Sequence, residues 1–195
     1  MKPYSEACER NRGPILEVLR DAFAGAREVL EIGSGTGQHA VYFAQHLPHL
    51  TWHPSDRPEH HAGIDAWASE AALANLCGPV ALDVRDAQWP VQAADAVFTA
   101  NTLHIMDWAA VQAAFLGIGR VLHSGGTLAV YGPFNYGGQF TSESNARFDA
   151  ALRSSGVGSG LRDFEAVNAL ARDIGLELLQ DTAMPANNRT LVWRR

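Results

Sequence analysis

One short stretch constrains this chain more than any other. Val29-Leu30-Glu31-Ile32-Gly33-Ser34-Gly35-Thr36-Gly37 runs from an apolar segment into three glycines at alternate positions, and Gln38 onward takes up helical spacing. A strand that turns at glycines straight into a helix lets backbone approach a ligand where a side chain would clash. It also aims the free N–H groups of a helix start at that ligand. Such a turn belongs at the carboxyl edge of an open parallel sheet, so a nucleotide-like ligand is expected there.

The remaining pattern supplies the sheet. Pro14 to Phe23 has helical spacing, with Pro14 suited to the first helical position. Glu28 to Ile32 reads as a buried strand, Gln38 to Leu47 as a helix stopped by Pro48, and Leu50 to Pro54 as a second strand. Ile64 to Leu76 reads as a helix, Val80 to Leu82 and Asp95 to Ala100 as strands, and Trp108 to Leu122 as a helix ended by Gly125-Gly126. A fifth strand spans Thr127 to Tyr131. Helices follow over Thr141 to Ser154 and from a cap at Asp163 to Ile174, with Gly175 as the C-terminal glycine. Leu176 to Leu179 and Thr190 to Trp193 are two last strands with no helix between them, hence an antiparallel pair. Alternating strands and helices predict an α/β fold, a mostly parallel sheet with helices on both faces.

Composition bounds the rest. At 195 residues, 47% hydrophobic and 18% charged, the chain has the apolar content for one core and one domain. We read residues 1–26 as an N-terminal lid helix and 27–195 as the core. Fifteen basic against 21 acidic residues leave a net charge of −6, which argues against nucleic acid as the partner. No apolar run reaches the roughly 18 residues of a membrane span, and Met1 to Glu6 does not resemble a signal peptide. Cys8 and Cys77 form no framework, so a cytoplasmic setting is expected. His46 with His49, and His60 with His61, lack companion ligands at metal spacing, so no metal is expected.

Two cofactor classes compete for the glycine turn. Nicotinamide enzymes use G-x-G-x-x-G. Here the spacing is G-x-G-x-G, with Glu31 two residues ahead of the first glycine. That resembles the first motif of class I S-adenosylmethionine-dependent methyltransferases, Rossmann-like folds with a seven-stranded sheet whose last strand is antiparallel. The resemblance implies that Glu31 lies near the cofactor's amino acid end and that the glycines, with Ser34, pass beside it. Asp56, 23 residues after Gly33, closes the second strand, where a carboxylate can accept from both ribose hydroxyls. Arg57 adjoins it. At the end of the third strand, Asp83 with Val84 takes the place where the family's acid meets the adenine amino group. Asp86 is a second candidate for that place; Asp83 is preferred because it directly follows the apolar run, the alternative being a helix cap or turn residue. Asn101 opens the loop Asn101-Thr102-Leu103-His104-Ile105, similar to the fourth motif of small-molecule methyltransferases.

Further stretches carry a narrower resemblance. Glu9-Arg10-Asn11-Arg12, Tyr131 to Gly138, Thr141 to Asn145 and Met184 to Thr190 look like the poorly characterised family that includes methyltransferase-like protein twenty-six. The resemblance covers nearly the whole chain and implies no substrate.

Geometry gives those stretches a reading of their own. The methyltransferase resemblance implies that the N-terminal helix folds over the cofactor as a lid, from which Asn11 and Arg12 are expected to reach the cofactor carboxylate, the alternative being that they only solvate a charged helix start. Tyr131, Asn135, Tyr136, Asn187 and Asn188 are expected to converge at the transferring methyl, although Asn187-Asn188 could simply make a hairpin turn. His104 is the candidate general base, with an ordinary pKa near 6.5, or else a packed histidine. No Asn/Asp-Pro-Pro-Tyr motif follows the fourth strand, which counts against amide N-methylation. A small-molecule acceptor is expected first and a protein side chain second. The rival readings are a cofactor-binding protein without catalysis and a nicotinamide oxidoreductase.

Overall fold

A computed structural model describes residues 2–195. It has one seven-stranded sheet in the order β3-β2-β1-β4-β5-β9-β8. In chain order its strands are β1 (Glu28–Ile32), β2 (Thr51–Asp56), β3 (Val80–Ala81), β4 (Ala94–Ala100), β5 (Leu122–Gly132), β8 (Glu177–Met184) and β9 (Asn188–Arg194). The first five pair in parallel, and β9 runs antiparallel to both β5 and β8. A separate two-stranded parallel pair, β6 (Phe134–Asn135) with β7 (Arg162–Asp163), has no counterpart in the sequence reading. The strand order reverses direction at β1 and β4. That is where a crevice opens beyond the carboxyl ends of an open sheet.

Helices cover both faces. On one, α1 (Glu6–Ala22) and α2 (Gln38–His46) pack Ile15, Leu19 and Phe43 against Val29, Trp52, Phe98 and Ala129 of the sheet. Phe43, Trp52 and Phe98 form a mutual aromatic cluster, with ring centroids 5.3–5.9 Å apart. On the other, α4 (Trp108–Val121) and α6 (Phe164–Asp173) bury Val111, Phe115, Ile118 and Val167 against Leu30, Val97, Leu128 and Leu191. Alternate strand residues thus feed opposite cores, which is why β1 is apolar on both faces. The remaining helices, α3 (His61–Ala71) and α5 (Glu143–Arg153), flank the carboxyl edge.

Several boundaries differ from the sequence reading, each for a local reason. α1 begins at Glu6, capped by the Ser5 side chain, so Pro14 lies inside the helix. Its missing N–H leaves the carbonyl one turn back, on solvent-exposed Arg10, without a helical partner. α3 starts early and stops at Ala71, where Ala72 turns left-handed. Gly125-Gly126 do not end α4. They lie within β5, which begins at Leu122, and Gly125 N–H bonds the Arg195 carbonyl. β8 runs on to Met184, beyond the expected end at Leu179, and a 3-10 turn, Pro185–Asn187, joins it to β9.

Candidate functional site

The glycine turn is built by close packing on both sides. Gly33 has φ +71°, and a Cβ there would stand 2.8 Å from Thr102 Cγ2. Gly37 has φ +87°, and a Cβ would stand 2.9 Å from the Ile64 Cα. Both a left-handed backbone and lack of space therefore demand glycine. The N–H groups of Gly33 and Ser34 donate to the Ser55 carbonyl, fastening the turn to the end of β2. Gly35 N–H donates to Asp56 Oδ2 at 2.8 Å, and Arg57 N–H donates to Asp56 Oδ1 at 2.8 Å. Asp56 is thereby fixed with lone pairs to spare.

Above this turn lies a cleft of about 1180 Å³. Ligand sites usually occupy roughly 300–1,000 Å³, so there is room for more than one compact ligand. Of the residues expected from sequence, the cleft brings together Asn11, Gly33, Ser34, Gly35, Asp56, Arg57, Asp83, Val84, Asn101, His104 and Tyr131, with Asn188. Asp83 is also a turn residue, since its Oδ1 accepts Arg85 N–H at 2.9 Å. Asn101 holds φ +57°, a strained left-handed turn secured by its N–H to the Tyr131 carbonyl.

Other expected residues are not in the cleft lining. Arg12 turns to Glu9 at 2.6 Å and covers the Tyr42 ring, so it does not reach the cleft. Arg10, two residues earlier and paired with Glu6, lines it instead. Glu31 is 2% exposed and sealed off from the cleft. Its Oε2 accepts Trp52 Nε1–H at 3.0 Å, and burial pushes its carboxyl up to about 7 against that bond. Gly37 serves as the N-cap of α2.

The expected convergence of Asn135, Tyr136 and Asn187 does not form. Asn135 is buried with Oδ1 unpartnered, on the small β6–β7 pair. Tyr136 donates to Asp181 Oδ2 at 2.8 Å and stacks on Phe164, so its hydroxyl is spent on β8. Burial and Asp181 both raise its pKa. Asn187 has φ +58°, its carbonyl accepting Asn145 Nδ2–H and its own amide contacting Ser144 Oγ. It is thus the turn residue, and Asn188 is the neighbour that lines the cleft.

Sequence reasoning missed a polar chain on the lid side. His39 Nε2 lies 2.7 Å from Asn11 Oδ1, an acceptor only, so the proton sits on Nε2 and Nδ1 is free to accept. Nδ1 faces the Cys8 thiol at 4.0 Å. Burial keeps His39 neutral, down to about 4, and pushes the Cys8 thiol up. Both line the cleft. A histidine one residue into the helix after the glycine turn was the available signal. Of the paired histidines, His46 bonds the Tyr42 carbonyl, His49 the Phe23 carbonyl and His61 the Asp56 carbonyl, while His60 lines the cleft.

His104 is 6% exposed, edge-on to Phe148 with centroids 5.3 Å apart. Burial, then the nearby Arg162 charge, holds it neutral with a pKa of about 4.

Residues 2–195 match the family described as "Protein of unknown function (DUF938)". The chain belongs to that family. Solved structures similar to it include an O-methyltransferase family protein from Burkholderia thailandensis, 20% identical with a TM-score of 0.83 over 94% of this chain and 55% of that one. An O-methyltransferase family 2 protein from Planctomyces limnophilus, in complex with apigenin, is 19% identical with a TM-score of 0.77 over 87% and 51%. PigF with SAH is 17% identical with a TM-score of 0.78 over 93% and 61%. At these identities the likeness is one of fold: the Rossmann-like methyltransferase sheet, in a chain that spans little more than half of those proteins' length.

Proposed function

We propose that the protein is an S-adenosylmethionine-dependent methyltransferase acting on a small molecule. The observation that carries this reading is the join of the glycine turn to Asp56: a backbone cradle that excludes side chains, beside a carboxylate held at the second strand end. The donor set suits a nucleoside with an amino acid tail and no phosphates. Asp56 would take the ribose hydroxyls, and Asp83 and Val84 the adenine. Asn11 and Arg10, in place of Arg12, would meet the carboxylate end. The methyltransferase fold of the neighbours and the SAH in one of them support the same cofactor. The narrower likeness to methyltransferase-like protein twenty-six fits this reading, and we propose a cytoplasmic setting with it.

When bound, S-adenosylmethionine supplies a methyl carbon on a positively charged sulfur. The chain's part is alignment and exclusion of water. α1 covers the cleft from one side and α5 from the other. His104 is neutral at physiological pH, so a ring nitrogen can accept a hydrogen bond at the far end, while burial and the Arg162 charge oppose its full protonation. Tyr131 keeps its proton, since burial raises its pKa, and offers a hydrogen bond.

Calorimetry with S-adenosylhomocysteine tests the reading. Micromolar binding is expected, and Asp56→Ala should weaken it by about thirtyfold, the worth of hydrogen bonds to a charged group. Saturable NAD binding with no heat from S-adenosylhomocysteine would favour the oxidoreductase class instead.

A further inference from the structure

A second concave site lies at the amino edge of the sheet, opposite the cleft. There the C-terminal ends of α1 and α2 meet the residues that lead into β1 and β2. Between them is a groove of about 460 Å³, within the usual range for a small ligand. Four of its lining side chains are basic, Arg20, Arg27, His46 and His49, and none is acidic. In a chain of net charge −6 such clustering runs against the composition.

Cations at helix C-termini often do no more than cover the last carbonyls. The two histidines do that much: His46 Nδ1–H donates to Tyr42 O at 2.8 Å, and His49 Nε2–H to Phe23 O at 3.3 Å. Backbone N–H groups also take up carbonyls there, Ala26 that of Phe23, Leu47 that of Phe43 and Leu50 that of Leu47. The groove is left with donors in excess. The second nitrogen of each histidine has no protein partner among the described residues, and either can carry a proton to an anion's oxygen. Gly25 N–H likewise has no acceptor among them, and open space lies beside it.

The arginines are equally uncommitted. The Arg27 backbone is clamped, its N–H donating to Asp95 Oδ2 at 2.7 Å and its carbonyl accepting Thr51 N–H at 2.7 Å. Its guanidinium has no carboxylate partner among the described residues. Arg20 reaches Glu17 at 3.8 Å, a loose pair with side chains 50% and 76% exposed. Glu17 and Asp21 stand outside the lining. Two guanidinium heads and a free backbone N–H thus border one groove that holds no counter-charge.

We infer that this groove binds a phosphate group, carried by a small phosphate monoester or as the free ion. A tetrahedral dianion has oxygens enough for both arginines, the Gly25 N–H and the imidazoles, and guanidinium meets it bidentately. A carboxylate, with two oxygens, leaves part of that donor set unmet. The groove and the glycine turn lie at opposite edges of the sheet, so the site is independent of the cofactor reading of the cleft.

Amide NMR of the full chain, titrated with inorganic phosphate, tests the site. The Gly25 and Arg27 signals should shift and saturate in the low millimolar range, and sodium chloride at matched ionic strength should not reproduce the shift. Acetate should bind at least about fivefold more weakly than phosphate. Replacing both arginines, Arg20→Gln with Arg27→Gln, should weaken phosphate about tenfold or more. Both side chains are exposed, so the fold should survive, with thermal unfolding as the check. Phenyl phosphate binding more tightly than inorganic phosphate marks an esterified ligand, and the reverse order marks the free ion. No saturable shift, an equal response to chloride or acetate, or an affinity untouched by the double variant overturns the inference. Should that variant not fold, the contrast of phosphate with chloride and acetate in the unaltered protein decides alone.

Discussion

At the near end of the cleft, Gly33, Gly35, Asp56 and Asp83 stand at or just beyond the ends of three adjacent strands. At the far end, His104 stands on a loop whose carbonyls are held by Gly160, Ser159 and Arg162. The near end is set by strand pairing and by short turns, and its polarity is charged. The far end is set by contacts between segments distant in sequence, and its nearest charge, Arg162, is spent on backbone carbonyls. A mutation at one end should therefore leave the other working.

The largest expected effect is at Arg162. Its guanidinium serves the carbonyls of Leu103, Met106 and Gly158, and Arg162→Met strands them. A loss of about 3 kcal/mol in denaturant unfolding is expected. Affinity for S-adenosylhomocysteine should stay within about twofold of the parent once stability is restored by lower temperature. A large loss of that affinity would break the separation of the two ends.

Glu31 sharpens it from beneath the near end. Its carboxyl ordinarily titrates at 4.5 and is raised to about 7 by burial, against the bonds from Trp52 and Ser34. Below pH 4.5 the group is protonated in both states and costs nothing. As pH rises toward 7 the unfolded chain gives up its proton first, so stability is lost, by about 3 kcal/mol in full. Glu31→Gln should flatten stability over that window. An unchanged slope would show the carboxylate to be ionised in the fold.

The smallest effect lies at the opposite, amino edge of the sheet. His123 Nε2 meets Asp95 Oδ1 at 2.5 Å, and Asp95 Oδ2 also accepts the N–H groups of Arg27 and Glu28. The bond that His123 donates to Asp95 raises the His123 pKa. Its stabilisation is thus full below the ordinary value of 6.5 and fades as pH rises through the folded value. His123→Ala should cost less than about 1 kcal/mol, as exposed pairs do, and leave both ends of the cleft intact. A change in binding would expose a coupling through the sheet.

The same contrast decides what could be read from sequence. Gly33, Gly35, Asp56 and Asp83 announce themselves because a strand end followed by a glycine or an acid is a local pattern with a local cause. Strand existence followed from apolar periodicity, and the antiparallel last pair from the lack of a helix between its two strands. The far end has no such signature. Phe148 and Val157 look like ordinary surface residues until α5 and the following loop fold over the cleft. Tyr136 was misplaced because nothing near it in sequence reveals Asp181, 45 residues on, as its partner. Pro14 misled for the opposite reason: a sound local rule about helix starts gave way to the Ser5 cap and to the apolar row Ile15, Leu16, Val18 and Leu19 that pulls the whole segment onto the sheet.

That proline divides α1 into two mechanical parts. From Ile15 onward the helix is a post, wedged into the core. Before it, Ala7, Cys8 and Arg10 form a leaf over the cleft, joined to the post through a turn that lacks one rung of its ladder. The leaf is latched at its outer edge by Ser5 N–H to Gln38 Oε1 and by Trp67 Nε1–H to the Pro3 carbonyl. The bonds that hold the leaf, to Gln38, His39 and Trp67, are thus separate from the apolar contacts that hold the post.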